Sequence, residues 1–140
     1  YVIKTYEKII SKNNISIKFN KTDNFKIIGD RDKLIEIFTN LIDNSIKYSD
    51  KNKEITITAK KDGEFNTVSV ADQGIGIPKE SIHRITERFF TVDPSKSRSV
   101  GGTGLGLAIV KHLVSQHRAE MDINSIENKG TTIDIKFNPL

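Results

Sequence analysis

The sequence predicts a two-layer α/β sandwich, and two observations support this fold class. Residues 31–48 have the apolar spacing of one long amphipathic helix. Segments of alternating polar and apolar residues, which are typical of strands, occur both next to one another and separated by helical segments. This order favours a mixed sheet of about five strands with about three helices. We expect a single domain over residues 1–140, because there is no internal repeat and no low-complexity segment.

The elements follow from local patterns. Asp30 is the predicted N-cap of the long helix, and a turn at 61–64 is expected to join two strands into a hairpin. Residues 73–102 hold four glycines and two prolines and predict a long loop containing a helical turn or two. The other predicted elements are helices to about residue 14 and from about Thr103 to His117, and strands at 15–19, 25–28, 54–60, 66–71, 119–125 and 131–137.

The composition excludes several kinds of function and site. The 22 basic and 18 acidic residues give a net charge of +4, which suits an anionic ligand but is not the dense basic face of a nucleic-acid binder. The absence of cysteine excludes disulfides, cysteine-based zinc sites and a thiol nucleophile. No apolar run approaches the roughly 20 residues of a membrane span. We therefore expect a soluble domain.

A first motif lies on the long helix. At about 100° per residue, Asn40, Asn44 and Lys47 fall within roughly 60° of one another. Two carboxamides and an ammonium aligned in this way can provide an oxygen ligand for a metal ion, and hydrogen-bond donors and a positive charge for phosphate oxygens. The ordinary polar face of an amphipathic helix is the alternative interpretation.

A second motif, Asp72-Gln73-Gly74-Ile75-Gly76, follows a predicted strand. The strand delivers a carboxylate to its end, and two glycines let the backbone turn sharply and approach a ligand. Such a carboxylate can accept a hydrogen bond from an exocyclic amine such as that of adenine. A glycine-rich turn without a ligand is the alternative.

In a third motif, Gly102, Gly104 and Gly106 open a predicted helix. Bare backbone N–H groups and the positive end of the helix dipole favour a phosphate site there. Leu107 and Ala108 stand where a P-loop has lysine and serine or threonine, and the spacing is not that of the dinucleotide fingerprint. A plain glycine-rich linker remains the alternative.

Together the motifs resemble the histidine-kinase branch of the gyrase, chaperone and mismatch-repair ATPases, which have the Bergerat fold. Residues 40–48 look like the N box, 72–76 the G1 box, 87–90 the F box and 102–106 the G2 box. The resemblance covers nearly the whole chain and implies a long ATP lid over about 78–102.

The resemblance also implies ATP and Mg²⁺ as ligands, with Asn44 as the metal ligand and Asp72 bonding the adenine amine. The full set of residues that it implies for nucleotide binding is Asn40, Asn44, Lys47, Tyr48, Asp72, Gly74, Gly76, Ile77, Arg88, Phe89, Lys96, Arg98, Gly102, Thr103, Gly104, Leu105, Gly106 and Thr131.

The implied activity is transfer of the γ-phosphoryl group to a histidine rather than hydrolysis. Related hydrolysing ATPases carry a glutamate where this chain has Asn40, and an amide cannot take a proton from water. The acceptor histidine is expected on a separate dimerisation domain of a homodimeric, membrane-anchored sensor, with a cytoplasmic location for this domain and a response regulator as the next partner. The histidines of this chain lack the acidic neighbour of a phosphoacceptor.

Two details qualify the resemblance. Thr91 stands where the lid usually carries an arginine, so Lys96 or Arg98 would have to replace that cation. Residues 83–89 and 101–112 look most like phosphate-responsive (PhoR-type) sensor kinases. The alternative functions are a nucleotide-binding regulatory module without phosphotransfer, which Thr91 leaves open, and a serine kinase of the same fold.

Overall fold

A computed structural model describes residues 1–49 and 53–139. The helices are α1 (Val2–Thr5), α2 (Glu7–Lys12), α3 (Arg31–Lys47), α4 (Pro94–Ser99) and α5 (Gly106–Gln116), with a 3₁₀ helix at Lys79–Arg84. The strands are β1 (Ser16–Lys21), β2 (Glu54–Asp62), β3 (Phe65–Ala71), β4 (Glu120–Ile126) and β5 (Gly130–Phe137).

The five strands form one mixed sheet in the order β1-β2-β3-β5-β4. β1 runs parallel to β2, and the other neighbouring pairs are antiparallel. Helices α3 and α5 pack against each other and share a core with the sheet. The predicted two-layer sandwich with a mixed five-stranded sheet is therefore confirmed.

The core is mainly aliphatic, and the side chains that fill it alternate along β2 and β5. The largest fully buried side chains are Ile37 and Leu41 of α3, Val110 of α5, Ile55 of β2 and Ile135 of β5. Because alternate residues of a strand point to opposite faces, Ile55 and Ile135 reach the helices while their neighbours do not. The polar side of α3 lies opposite its buried face and is directed toward the lid.

Several local predictions are confirmed. Asp30 caps α3, since its Oδ1 accepts a hydrogen bond from the N–H of Lys33 at 3.0 Å. The hairpin turn is tighter than expected, with Asp62 already paired to Phe65 and Gly63 at φ +60°. The long loop contains two helical segments, the 3₁₀ helix and α4, as predicted.

Other local predictions are wrong. Residues 25–28 form no strand, because Phe25 and Ile27 pack on the core and the carbonyl of Lys26 accepts from Asn66 Nδ2 at 3.0 Å. That side-chain bond takes the place of a strand pairing. The alternation in β1 does not bury Phe19, which is 52% exposed on an edge strand.

The helices differ from prediction at their ends. The predicted first helix is interrupted at Tyr6, so α1 and α2 are two separate helices. Helix α5 begins at Gly106 rather than Thr103, because Gly104 has φ +73° and cannot belong to a right-handed helix. Among the described residues, no helix has both the length and the apolar character needed to cross a membrane.

We expect Ile37→Ala to lower the free energy of unfolding by about 2–5 kcal/mol, because it leaves a cavity in the centre of the core. Ile37 is 0% exposed, whereas Ile28 is 79% exposed and serves as the matched control. Urea titration of both variants measures the difference. Equal destabilisation by Ile28→Ala would contradict the assigned core.

Candidate functional site

A cleft lies between α3, the loop after β3, the lid and the start of α5. Its walls combine a few polar groups with mainly apolar surface, which is typical of small-molecule sites. It is lined by Leu41, Asn44, Ser45, Tyr48, Asp72, Ile75, Gly76, Ile77, Ile85, Phe90, Thr91, Val92, Asp93, Gly104, Gly106, Leu107, Thr131 and Ile133.

Asp72 is held at the end of β3 by the neighbouring strand and loop. Its backbone N–H donates to the carbonyl of Thr131 at 2.8 Å. Its Oδ1 accepts from the N–H of Thr131 at 3.2 Å and from that of Gly74 at 2.9 Å. Burial raises the pKa of Asp72, although these two bonds and one from the Ser45 side chain act in the opposite direction. The carboxylate therefore has a fixed orientation and faces the cleft.

The two glycines after Asp72 permit close backbone packing around the cleft. A Cβ on Gly74 would lie 2.3 Å from the carbonyl oxygen of Tyr48, and one on Gly76 the same distance from that of Ile126. Ile75, between the two glycines, forms two backbone hydrogen bonds. Its N–H donates to Tyr48 O at 3.2 Å, and its carbonyl accepts from the N–H of Asn128 at 2.7 Å. The absence of a side chain at Gly74 and Gly76 thus lets neighbouring backbone segments pack closely beside the cleft.

The polar face of α3 is turned toward the cleft and the lid. Asn44 lines the cleft. Asn40 Nδ2 donates to Glu36 O at 2.9 Å, and its Oδ1 lies 3.3 Å from where a Cβ of Gly106 would be. Lys47 Nζ lies 3.4 Å from the carbonyl oxygen of Gly101 in the lid. Of the three side chains predicted to act together, Asn44 lines the cleft, whereas Asn40 lies against the start of α5 and Lys47 against the lid.

Hydrogen bonds to the backbone hold the turns around α4, within the segment expected to be the lid. Asp93 caps α4 by accepting from the N–H groups of Ser95 and Lys96 at 3.0 and 3.2 Å. The N–H of Gly102 donates to Ser97 O at 2.7 Å.

One lid residue is held in an unusual backbone conformation. Phe89 donates its N–H to Gly104 O at 2.7 Å and has φ +65°. A Cβ on Gly104 would lie 2.8 Å from Phe89 Cα, so only glycine fits there.

Not every residue implied by the resemblance reaches the cleft. Phe89 is 69% exposed, and its neighbour Phe90 lines the cleft instead. Arg88 and Arg98 are exposed and Lys96 is half-buried. The residues of the implied set that do not line the cleft are Asn40, Lys47, Gly74, Arg88, Phe89, Lys96, Arg98, Gly102, Thr103 and Leu105.

Several residues that line the cleft, most of them apolar, lie outside the predicted set. Leu41 and Ser45 could have been found from their helical spacing to Asn44 and Tyr48. Ile75 and Phe90 stand in the residues quoted as the G1 and F boxes, Thr91 is the departure from the usual lid arginine, and the others come together only in the fold. The lining residues outside the predicted set are Leu41, Ser45, Ile75, Ile85, Phe90, Thr91, Val92, Asp93, Leu107 and Ile133.

We expect Asp72→Asn to stabilise the nucleotide-free protein at pH 7. Burial raises the folded-state pKa of Asp72 above its ordinary 3.8, so the folded state binds more protons and its stability falls as pH rises through that window. A neutral amide removes the cost of burying the charge and keeps an oxygen that accepts hydrogen bonds from Gly74 and Thr131.

The gain in the free energy of unfolding should vanish below pH 3.8, where wild-type Asp72 is protonated in both the folded and the unfolded state. Urea titrations across this range measure it, with the exposed Asp23→Asn as control. A gain that does not change with pH would contradict the assignment.

Comparison with known proteins agrees with this geometry. Residues 29–140 match the histidine kinase-, DNA gyrase B-, and HSP90-like ATPase family. The sensor histidine kinase WalK of Bacillus subtilis is 43% identical over 106 residues, covering 74% of this chain and 17% of WalK. The phosphate regulon sensor protein PhoR of Pseudomonas aeruginosa is 40% identical over 126 residues, covering 90% of this chain and 28% of PhoR. The similarity is therefore not confined to the PhoR type, and the chain spans less than a third of either relative.

Solved structures show the same fold. The nucleotide-free catalytic domain of histidine kinase ThkA superposes with a TM-score of 0.84 at 28% identity, over 98% of this chain and 88% of that one. Full-length ShkA in complex with AMPPNP gives 0.83 at 25% identity, over 97% of this chain and 28% of ShkA. ThkA in complex with the response regulator protein TrrA gives 0.81 at 26% identity, over 99% and 38% of the two chains. The chain therefore belongs to the histidine kinase-, DNA gyrase B- and HSP90-like ATPase family.

Proposed function

We propose that this domain binds ATP with Mg²⁺ and donates the γ-phosphoryl group to a histidine on a dimerisation domain of the same protein, for relay to a response regulator. The main support is one observation, the fixed and half-buried Asp72 carboxylate at one part of a cleft that α3 and the start of α5 also line.

The Asp72 end of the cleft suits an adenine base. A carboxylate accepts a hydrogen bond from an exocyclic amine, and the surrounding walls supply apolar surface for the flat ring. Ile77, Leu107 and Ile133 are among these apolar residues, and Thr131 adds a hydroxyl beside Asp72. Guanine presents a carbonyl oxygen where adenine has the amine, so Asp72 would favour adenine.

The opposite end suits phosphates. Helix α5 has 11 residues and no side-chain cap at its start, so its first N–H groups and its dipole are free to face an anion. Asn40 meets this helix start at Gly106, and Asn44 supplies a carboxamide oxygen to the cleft. Mg²⁺ is usually held by one or two protein oxygens together with substrate phosphates. Asn44 fits that role, and when bound the metal would neutralise phosphate charge.

Phosphoryl transfer, rather than hydrolysis, is supported by the residues around the cleft. Asn40 is an amide and cannot act as a base toward water. Among the described lining residues the carboxylates are Asp72 and Asp93, the first bonded to two backbone N–H groups and the second capping α4. With ATP held and neither of these two lining carboxylates free to activate water, positioning against another nucleophile is the chemistry that we propose.

The acceptor histidine is proposed to lie on another domain. His117 Nδ1 donates to Leu113 O at 2.8 Å while its Nε2 accepts from the Asp30 N–H at 3.1 Å, so both ring nitrogens serve the fold. His112 contacts Gln116 on the same helix. A response regulator as the next partner is supported by the ThkA–TrrA complex, and a role in a sensor protein by the relatives' names. We propose that this sensor is membrane-anchored and that the domain lies in the cytoplasm.

We expect label from γ-labelled ATP to appear on a separately produced, histidine-bearing dimerisation domain, in the acid-labile form of phosphohistidine. Asn44→Ala should slow this transfer by about 100-fold, because a metal ligand at the transferring phosphates is lost. Asn124→Ala on the exposed face of β4 is the control. ATP binding without any transfer to the partner would favour the regulatory-module alternative.

We expect Asp72→Asn to weaken ATP binding about 10- to 100-fold in calorimetry, because it removes a charge-assisted hydrogen bond to the base. Discrimination against GTP should fall at the same time. Asp23→Asn, an exposed substitution with the same change of charge, should bind ATP like wild type. Unchanged ATP affinity in Asp72→Asn would place the base elsewhere.

A further inference from the structure

The hydroxyl of Ser125, on β4, is hydrogen-bonded to two residues that line the cleft and to the turn before β5. Its Oγ accepts from the N–H of Ile77 at 2.8 Å and donates to the carbonyl oxygen of Gly130 at 3.0 Å. It also lies 2.9 Å from Oγ1 of Thr131. Ser125 itself does not line the cleft, whereas Ile77 and Thr131 both do.

The pairing of β4 with β5 brings the two hydroxyl groups together. Ser125 and Thr131 are directly opposite each other in the antiparallel register, so their side chains lie on the same face of the sheet. Ile133, two residues further along β5, lies on that face as well and lines the cleft. Both hydroxyl groups are therefore on the face of the sheet that borders the cleft.

The number of protons decides which hydroxyl group donates to the other. A serine hydroxyl has one proton and two lone pairs. The carbonyl group of Gly130 can only accept, so it takes the proton of Ser125, and the N–H of Ile77 takes one lone pair. The remaining lone pair accepts the proton of Thr131. Ser125 then makes every hydrogen bond of which its hydroxyl is capable.

This arrangement fixes what Thr131 can offer to a ligand. The proton of its hydroxyl is directed at Ser125, so Oγ1 presents lone pairs and no donor. Its backbone N–H is also occupied, because it donates to Oδ1 of Asp72 at 3.2 Å. An ionised carboxylate is likewise an acceptor only. The side chains of Asp72 and Thr131 can therefore both accept a hydrogen bond from a ligand, and neither can donate one.

We propose that Ser125 is a positioning residue for base recognition, which makes Thr131 a hydrogen-bond acceptor so that the cleft selects a purine with an amino group at C6. This inference rests on the proposed function and adds to it a residue outside the cleft. A C6 amino group has two N–H donors, one for Asp72 and one for the Thr131 oxygen. A carbonyl group at C6, as in hypoxanthine or guanine, would face two acceptors and leave both without a donor.

The same hydroxyl group also helps to hold the loop after β3. Besides the bond from Ile77 to Ser125, the N–H of Asn128 donates to the carbonyl oxygen of Ile75 at 2.7 Å. Removing the Ser125 hydroxyl leaves the Ile77 N–H without this acceptor, so some loss of stability is expected. A general loss of stability weakens the binding of every nucleotide alike. A change in the preference between two bases therefore reports on Thr131 and not on the loop.

Ser125→Ala tests the inference by calorimetry with ATP and with inosine triphosphate (ITP), in which a carbonyl group replaces the C6 amine. We expect the ratio of the two dissociation constants to move toward ITP by about 5-fold, because the Thr131 hydroxyl becomes free to donate to that carbonyl group. Ser125→Thr keeps a hydroxyl at this position and should restore the wild-type ratio. Ser16→Ala, the same change as Ser125→Ala at an exposed residue of the opposite edge strand β1, is the control.

A double-mutant cycle with Thr131→Val identifies the group through which Ser125 acts. Valine has the shape of threonine without its hydroxyl, so Ser125→Ala should no longer change the ratio in this background. An unchanged ratio in Ser125→Ala, an undiminished effect beside Thr131→Val, or a Ser125→Thr variant that behaves like Ser125→Ala would overturn the inference. A wild-type domain that binds no ATP would instead overturn the proposed function, whereas one that binds ATP and ITP equally well overturns only the selection of the amine.

Discussion

The pairing of Asp72 with Thr131 joins the end of β3 to β5, and the cleft is arranged around it. The two residues exchange a backbone bond at 2.8 Å and a backbone-to-carboxylate bond at 3.2 Å. Gly130 makes this approach possible, since a Cβ there would lie 2.1 Å from Asp72 O. A carboxylate that is half-buried in an apolar cleft needs such donors, because without them its charge would be too costly to desolvate. The fixed anion is thus a product of strand pairing.

The charged and polar groups around the cleft lie on different elements. Asp72 follows the end of β3, whereas Lys47 lies at the end of α3 and α5 starts without a side-chain cap. A nucleotide has a base with hydrogen-bond donors at one end and anionic phosphates at the other, so under the proposed function the Asp72 carboxylate would meet the base and the start of α5 the phosphates. Asp43, one residue before Asn44 on α3, pairs with Lys47, with 2.7 Å between Oδ2 and Nζ.

The sheet and the main helices could be predicted because their signals are local. Alternation located β2, β3, β4 and β5, and the Asp30 cap located the start of α3. The segment 25–28 was predicted as a strand from its apolar residues, but its carbonyl group bonds to the distant Asn66 side chain. In the lid, the choice between Phe89 and Phe90 depends on the bond from Phe89 to Gly104 and on the left-handed backbone that it imposes. Neither long-range contact leaves a trace in local spacing.

By itself the sequence determined the fold class, the order of the motifs and the types of side chain in them, because periodicity, capping and turn formation depend on near neighbours. It also has Asn40 at the position where the resemblance implies a glutamate base in hydrolysing ATPases. Only the tertiary structure decided which apolar residues wall the cleft and how Asp72 is held. These features join residues far apart in the chain, and their distances are set by how α3, the sheet and the lid pack together.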